Sequence, residues 1–463
     1  LERPDPPARS LWNRSLSRRD VLKLGGAIAA GGVLGSSLAA CASNSGTQGP
    51  SASTRSITVL VGGGDPSTEP GLKHGFDDFK AQNPGVEWDI RSLPGGGPEW
   101  DRLARASIAS GEPVGLIAID GLFIRAWTRD GLLADLDADP KLADILARVP
   151  AKFHLGGLGG LGKSGTRAFP LAMTRGLQTT GLYYNKAILD KAGLEAPKKI
   201  ADFKAMVKPL ASLGAAPLVH CSGDAFFNPL LVMWVLPMIA ERNGDPLAFV
   251  ESTIRGDVRY DSPEWLEAFQ TIADLRTSGA LLAGSGATDY ATMQQLVLQG
   301  KAAMTYNGTW LLPQLLAGKP TGPFDLHAAP LPIADGASRS RPILAYAGFA
   351  LPTKAAGNRE DVYRFLEYAS RPDVDKTVTK GSQFYSPIEG SNTEIDNSIA
   401  REFLPMLDDA ITSLNWLWEP EIDVEIGNQV QALVKGDTDP ASAGKAIEAA
   451  ADGLRSSGRS YYS

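Results

Sequence analysis

Cysteine and histidine are scarce in this chain. Its 463 residues include two cysteines and four histidines. A disulfide framework is therefore excluded, and the histidines, at 74, 154, 220 and 327, form no cluster of structural-zinc spacing. No metal or cofactor is expected. Runs of basic residues are also missing. The net charge is −7, and the first forty residues are net basic, so the body of the chain is more acidic still. Nucleic acid is not an expected partner, because a binder of phosphate backbones needs a basic footprint. No stretch beyond the N-terminal region is long and apolar enough to span a bilayer. The 50 glycines and 32 prolines follow no triplet period and belong to tight turns. What remains is an ordinary globular composition, 43% hydrophobic and 21% charged, on a chain too long for a single core. Two lobes are expected.

The N-terminus has the form of an address. Ser17-Arg18-Arg19-Asp20 precedes a Gly/Ala-rich apolar stretch from Leu24, then Leu38-Ala39-Ala40-Cys41. Paired arginines before a weakly apolar core resemble a twin-arginine export signal over residues 1–40, and Leu38 to Cys41 resembles a bacterial lipobox. Cys41 would then become the lipidated first residue of the mature chain. Two acyl chains at about 0.8 kcal/mol per buried methylene hold a protein durably on a membrane. Residues 41–55, rich in Ser, Gly and Thr, read as a flexible tether. Leu1 to Leu16 carry no assignable pattern and are expected to precede the true start. Without Cys41 only Cys221 is left, so the mature chain has no intrachain disulfide.

Residues 57–61 (Ile-Thr-Val-Leu-Val) have strand composition, and Leu72, Phe76 and Phe79 mark one face of a following helix. Asn83-Pro84-Gly85 stops that helix before a second strand from Val86. The unit repeats with Trp100, Leu103 and Ile108 on a helix and an apolar strand from Val114 to Ile119. Such alternation predicts a mostly parallel sheet covered on both faces. Extended segments near 168–171 and 182–185 set one crossing between lobes near Ala172, and a run at 345–350 sets the return near Tyr346. Helices are expected at 200–213, 228–243, 263–278 and 290–298, with a strand at 302–306 and a last helical block over 427–454.

Gly157 to Ser164 matches the phosphate-loop pattern G-x-x-x-x-G-K-S letter for letter. That chemistry requires a buried strand before the loop and a helix after it. Pro150 precedes the motif and Thr166-Arg167-Ala168-Phe169-Pro170 follows it, so it is read as a plain loop.

Several segments in order resemble the extracellular carbohydrate-binding proteins of ABC importers, the group that includes maltose-binding protein. Gly111-Glu112-Pro113-Val114-Gly115-Leu116 through Gly131-Leu132-Leu133-Ala134-Asp135-Leu136 is similar to one family stretch, departing from its usual Pro-Asp-Val at Val114-Gly115. Phe169-Pro170 with Leu182-Tyr183-Tyr184-Asn185-Lys186 resembles a second. Gln299-Gly300-Lys301-Ala302-Ala303-Met304 through Asn307-Gly308-Thr309-Trp310 resembles a third, and residues 348–365 a fourth. Within the family, Asn415-Trp416-Leu417-Trp418 is similar to actinobacterial N-acetylglucosamine and chitobiose binders. The resemblance implies an α/β, two-lobe periplasmic-binding-protein type II fold, each lobe a mixed sheet flanked by helices, with the ligand in the interlobe cleft. Residues 56–171 with 347–392 would form one lobe and 172–346 with 393–463 the other. It further implies a non-catalytic, monomeric receptor that takes a carbohydrate ligand to a membrane permease of an ABC transporter, anchored outside the cytoplasmic membrane by its lipid.

A sugar presents hydroxyls at its rim and C–H patches on its faces, so its site needs flat rings and carboxylates or amides. The resemblance makes Trp310 the stacking wall, where about 50 Å² of covered sugar face contributes about 1.3 kcal/mol. Trp416 and Trp418, spaced by two, would share one face of a strand or loop, serving either the site, with Glu419 beside them as a rim acceptor, or packing between the lobes. Asp120 ends an apolar strand where α/β sheets place ligands, its rival role being a helix N-cap. Asp65 follows three glycines in the first strand-to-helix loop. Asn307, Tyr346, Phe227 and Asn228 complete the candidates. An exported glycosidase would need two carboxylates at a set separation, and none are singled out. A glycerophosphodiester binder would place an arginine in the cleft, for which Arg175 is the residue to check.

Overall fold

The apolar run at 57–61 forms the buried centre of β1 (Arg55–Gly62) in the computed structural model. It pairs in parallel with β2 (Val86–Leu93) on one side and β3 (Val114–Asp120) on the other. The structure describes residues 55–62, 69–93, 98–156, 160–161, 165–354 and 358–458. The export signal, Cys41, Asp65 and most of the phosphate-loop look-alike lie outside these. The helix Glu69–Gln82 covers one sheet face through Leu72, Phe76 and Phe79, joined there by Val59 and Val61. Pro98–Ala109 covers the other face, with Trp100 and Ala104 in one cluster with Leu60 and Ile117. Alternate β1 residues thus serve opposite cores, as a doubly covered parallel sheet requires.

Two short strands, β4 (Leu155–Gly156) and β5 (Gly160–Leu161), and β6 (Thr166–Phe169) extend this first sheet. Thr166–Phe169 is a strand where a phosphate loop would open a helix. In the second half, β7 (Leu177–Asn185) is the centre, β8 (Ala216–Val219) runs parallel to β9 (Ala302–Gly308), and β7 is antiparallel to both β9 and β10 (Leu326–Ala329). One strand belongs to both halves. The first part of β11 (Ile343–Ala350) pairs with β7 and with β12 (Ile411–Thr412), whereas 347–350 pair with β3 and β6. Its change of partners falls between Tyr346 and Ala347. At the other connection, Arg175 is the one non-glycine among the described residues with positive φ, 71°. Gly176 follows at φ 44°, where a Cβ would lie 2.1 Å from the Tyr385 carbonyl oxygen, so only glycine fits. Buried Asp375 fixes this crossing by accepting from the Ala172 amide (3.0 Å) and the Ser386 hydroxyl.

The helix Pro229–Ala240 is apolar on every side and completely buried, the pattern of a core helix. Around it pack Pro263–Thr277 and two terminal helices. Here the sequence reading is corrected. The expected block over 427–454 begins earlier and is two helices, Pro420–Lys435 and Pro440–Ser456, because Gly436 adopts φ 87° and Asp439 caps the second start. Leucine and isoleucine periodicity continues through both segments and masks that break.

Glu241 follows the buried helix. Hydrogen bonds from Arg341 and then Arg339, the latter at 2.8 Å, outweigh burial and hold its carboxyl down at about 2. A depressed acid stabilises the fold above the ordinary carboxylate range, and that contribution disappears as pH falls toward 2. Glu241→Gln is expected to lower the thermal midpoint by a few degrees at pH 7, about 2 kcal/mol, and to leave it unchanged near pH 2. Melts of both proteins across pH 2–7 check this; a constant difference would refute it.

Candidate functional site

The register of β11 brings two strand ends together. Asp120, the last residue of β3, lies opposite Ala347. Gly308, the last of β9, lies opposite Thr180, whose neighbour Thr179 pairs with Leu344. The carboxyl ends of strands from both halves therefore meet at the point where β11 changes sheets, the place where such sheets hold ligands.

On the first half, the Asp120 side chain caps the helix Gly121–Arg129, accepting from the Leu122 amide at 3.0 Å. Its carboxylate also stands 3.6 Å from the Arg175 guanidinium. Of the two roles weighed for Asp120, sugar acceptor and helix cap, the structure shows the cap. The side chain keeps 37% of its surface open, yet desolvation raises its pKa against the opposing effects of Arg175 and Leu122.

On the second half, the segments leaving β8 and β9 hold six shielded polar atoms with no protein partner: His220 Nδ1, Ser222 Oγ, Asn228 Oδ1, Asn307 Nδ2, Thr309 Oγ1 and Trp310 Nε1. Natural proteins leave few such atoms, and these six are gathered at two adjacent strand ends. Burial lowers His220 to about 4, partly offset by the Phe227 carbonyl 3.2 Å from Nε2. The ring is neutral at pH 7, and with Nε2 donating to that carbonyl, Nδ1 is an acceptor. Trp310 is half-buried, its ring folded over Gly308, where a Cβ would come within 2.1 Å of it. Phe227 stacks on Tyr290 at 4.3 Å and 7°, and Phe226 meets Phe227 edge-on and is half exposed. Asn307 and Asn228 are fully buried, with one amide atom each in a local bond and the other among the six.

The expectation for Trp416 and Trp418 is corrected. Leu414–Trp416 is a 3-10 turn, not an extended stretch, so the two rings diverge. Trp418 enters the second-half core beside Trp265. Trp416 lies edge-on to Tyr346 at 5.1 Å and flat against Gly121, while Arg125 donates to the Leu417 carbonyl at 2.6 Å. Tyr346 is fully buried and its hydroxyl donates to the Phe153 carbonyl, which makes it a packing residue. Glu419, 4% exposed, occupies the N-cap position of Pro420–Lys435. Phe226, Tyr290 and His220 join the candidates only in the structure. Of these only the Phe226-Phe227 pair, following Gly223-Asp224-Ala225, carries a sequence signal, adjacent rings in a turn. A concavity of about 670 Å³ lies elsewhere, at the opposite ends of β8 and β9 around Ala216 and Lys301; it is lined by apolar groups and none of the candidate residues.

A family model, bacterial extracellular solute-binding protein, matches residues 65–376, more than half of the chain. The chain belongs to this family. This solute-binding protein is 26% identical over 251 residues to a "Probable sugar-binding periplasmic protein" of Brucella suis, covering 52% of the chain and 55% of the relative. A protein of the same description from Rhizobium meliloti is 22% identical over 243 residues, covering 51% and 55%. The chain spans about half the length of these curated relatives. Among solved structures, a chitin oligosaccharide binding protein superposes with a TM-score of 0.70 at 18% identity, covering 87% of this chain and 99% of its own. The GacH receptor of Streptomyces glaucescens gives 0.68 at 21%, covering 87% and 98%. What these structures share with the solute-binding protein is the fold: two α/β domains with mixed sheets flanked by helices. Among the described residues no helix is long and apolar enough to cross a membrane, and no group of three or more His, Cys, Asp or Glu could hold a metal.

Proposed function

We propose that this solute-binding protein captures a carbohydrate between its two halves, leaves it chemically unchanged and delivers it to the permease of an ABC importer. The observation that carries the reading is the set of unpartnered polar atoms beside Trp310 and the Phe227–Tyr290 stack: hydrogen-bonding groups at the edges of flat apolar rings complement a pyranose. Sugar-binding relatives add weight. Closure pivots on β11 and on the Leu171–Gly176 connection, where backbone passes between sheets. Export through the arginine-pair signal and acylation at Cys41 place the protein on the outer face of the cytoplasmic membrane. A chito-oligosaccharide is one ligand to try, given the resemblance around Trp416. A phosphodiester is disfavoured because Asp120 stands beside Arg175.

Malto-, chito- and cello-oligosaccharides are screened by thermal shift and tryptophan fluorescence. The expected result is a saturable rise in the thermal midpoint, equivalent to about 2.7 kcal/mol at a hundredfold excess over Kd, without release of reducing ends. Trp310→Ala should weaken binding about tenfold, the equivalent of about 1.4 kcal/mol, while the unliganded melt barely moves. Cleavage at turnover rates, or no response to any carbohydrate, would overturn the reading; undiminished binding by Trp310→Ala would remove Trp310 from the site.

A further inference from the structure

Asp120 and Asp423 are both partly buried carboxylates, and they differ in their charge partners. Asp120 has Arg175 at 3.6 Å. Asp423, in the opening turn of Pro420–Lys435, has no such neighbour: its Oδ1 is shielded and without a hydrogen-bond partner, and burial pushes its carboxyl above the ordinary range. Yet the residue as a whole is only partly buried, as is Asp120.

Helix geometry fixes where Asp423 lies. Residues 423, 427 and 431 form one i, i+4 row. Gln431 donates to the Ser222 carbonyl at 2.6 Å. A Cβ on Gly427 would lie 3.0 Å from the Ala225 carbonyl oxygen and 3.8 Å from Asn228 Cβ. The row therefore climbs the segment that leaves β8, the helix packs along the turn Ala225–Phe227, and Asp423 lies one turn beyond Gly427. Next to it in the chain Val424 is exposed, as is Phe226 on the turn along which this helix packs.

A neutral hydroxyl would satisfy one oxygen and leave the buried charge uncompensated. A ligand cation satisfies both needs, donating to the unpartnered oxygen and compensating the charge. Resting on the carbohydrate-receptor reading above, we propose that the second-half side of the site takes a protonated amine, so that the solute is an amino sugar or an oligomer of one, with Asp423 as the counter-ion.

The test compares β(1→4)-linked glucosamine oligomers with cello-oligosaccharides of the same length, which differ only in an ammonium where the other has a hydroxyl. By calorimetry at pH 7 the amine series is expected to bind at least tenfold tighter, the advantage shrinking as salt is raised. In Asp423→Asn the ratio should fall to about one, and Asp423→Glu, which keeps the charge, should retain a ratio above one; thermal melts establish that both variants fold. Equal binding of the two series by the parent protein, or a ratio that survives Asp423→Asn, overturns the proposal while the carbohydrate reading stands. Failure of every carbohydrate to bind overturns both.

Discussion

Trp416→Ala is expected to cost about 3–4 kcal/mol of stability, the loss of a buried ring rather than of a ligand contact. The indole is 7% exposed, touches Tyr346 edge-on at 5.1 Å, and covers Gly121 so closely that a Cβ there would fall 2.5 Å from the ring. Truncation leaves a cavity in a junction of two rigid backbones, β11 and the start of Gly121–Arg129, which have little freedom to collapse into it. The adjoining bond from Arg125 to the Leu417 carbonyl, 2.6 Å, anchors the same turn and would be strained by any shift. Chemical denaturation measures the loss from the midpoint at constant m-value. Trp310→Ala is the internal comparison: half-exposed, it should affect ligand affinity much more than stability. If Trp416→Ala melts with the parent and loses only ligand, the indole belongs to the binding surface instead.

Asp423→Asn is expected to act in the opposite direction, making the unliganded protein more stable, and only above acidic pH. Burial raises this carboxyl from its ordinary 3.8 to about 7. The folded state therefore holds the proton that the unfolded chain has already released between about pH 4 and 7, so stability falls as pH rises through that window. Three pK units correspond to a ceiling of about 4 kcal/mol, and the partial exposure of the residue reduces it to about 2–3. Asparagine has the same shape and no charge to desolvate. The difference in melting temperature between variant and parent should be near zero at pH 4, grow through neutrality and level off above pH 8. A difference independent of pH would show that the carboxylate is not buried in the folded protein. Both this prediction and the amine preference follow from the same absent counter-charge, but one is read without ligand and the other with it.

The elements were legible wherever burial imposes a period. Leu72, Phe76 and Phe79 share a helix face because one stripe meets the sheet, the helix at Tyr290–Leu298 has the predicted bounds, and the all-apolar segment around Trp234 reads as core because no residue in it tolerates water. The exchange of β11 between sheets was also foreshadowed, since the run at 345–350 is too apolar for a loop. Rings were harder. Trp416 and Trp418 look alike in sequence, and only the 3-10 turn that separates them decides that each enters a different core.

Composition and ordered motifs were enough to reach a two-domain α/β solute-binding fold, because each depends on local chemistry or on short-range spacing. Tertiary structure alone decided which polar groups lack partners and which carboxylate lacks a cation. Those properties belong to no residue by itself: Asp423 on an isolated helix is an ordinary solvated acid near a favourable dipole, and it becomes unusual only when the segment leaving β8, from distant sequence, packs along its row and removes its water without supplying a charge.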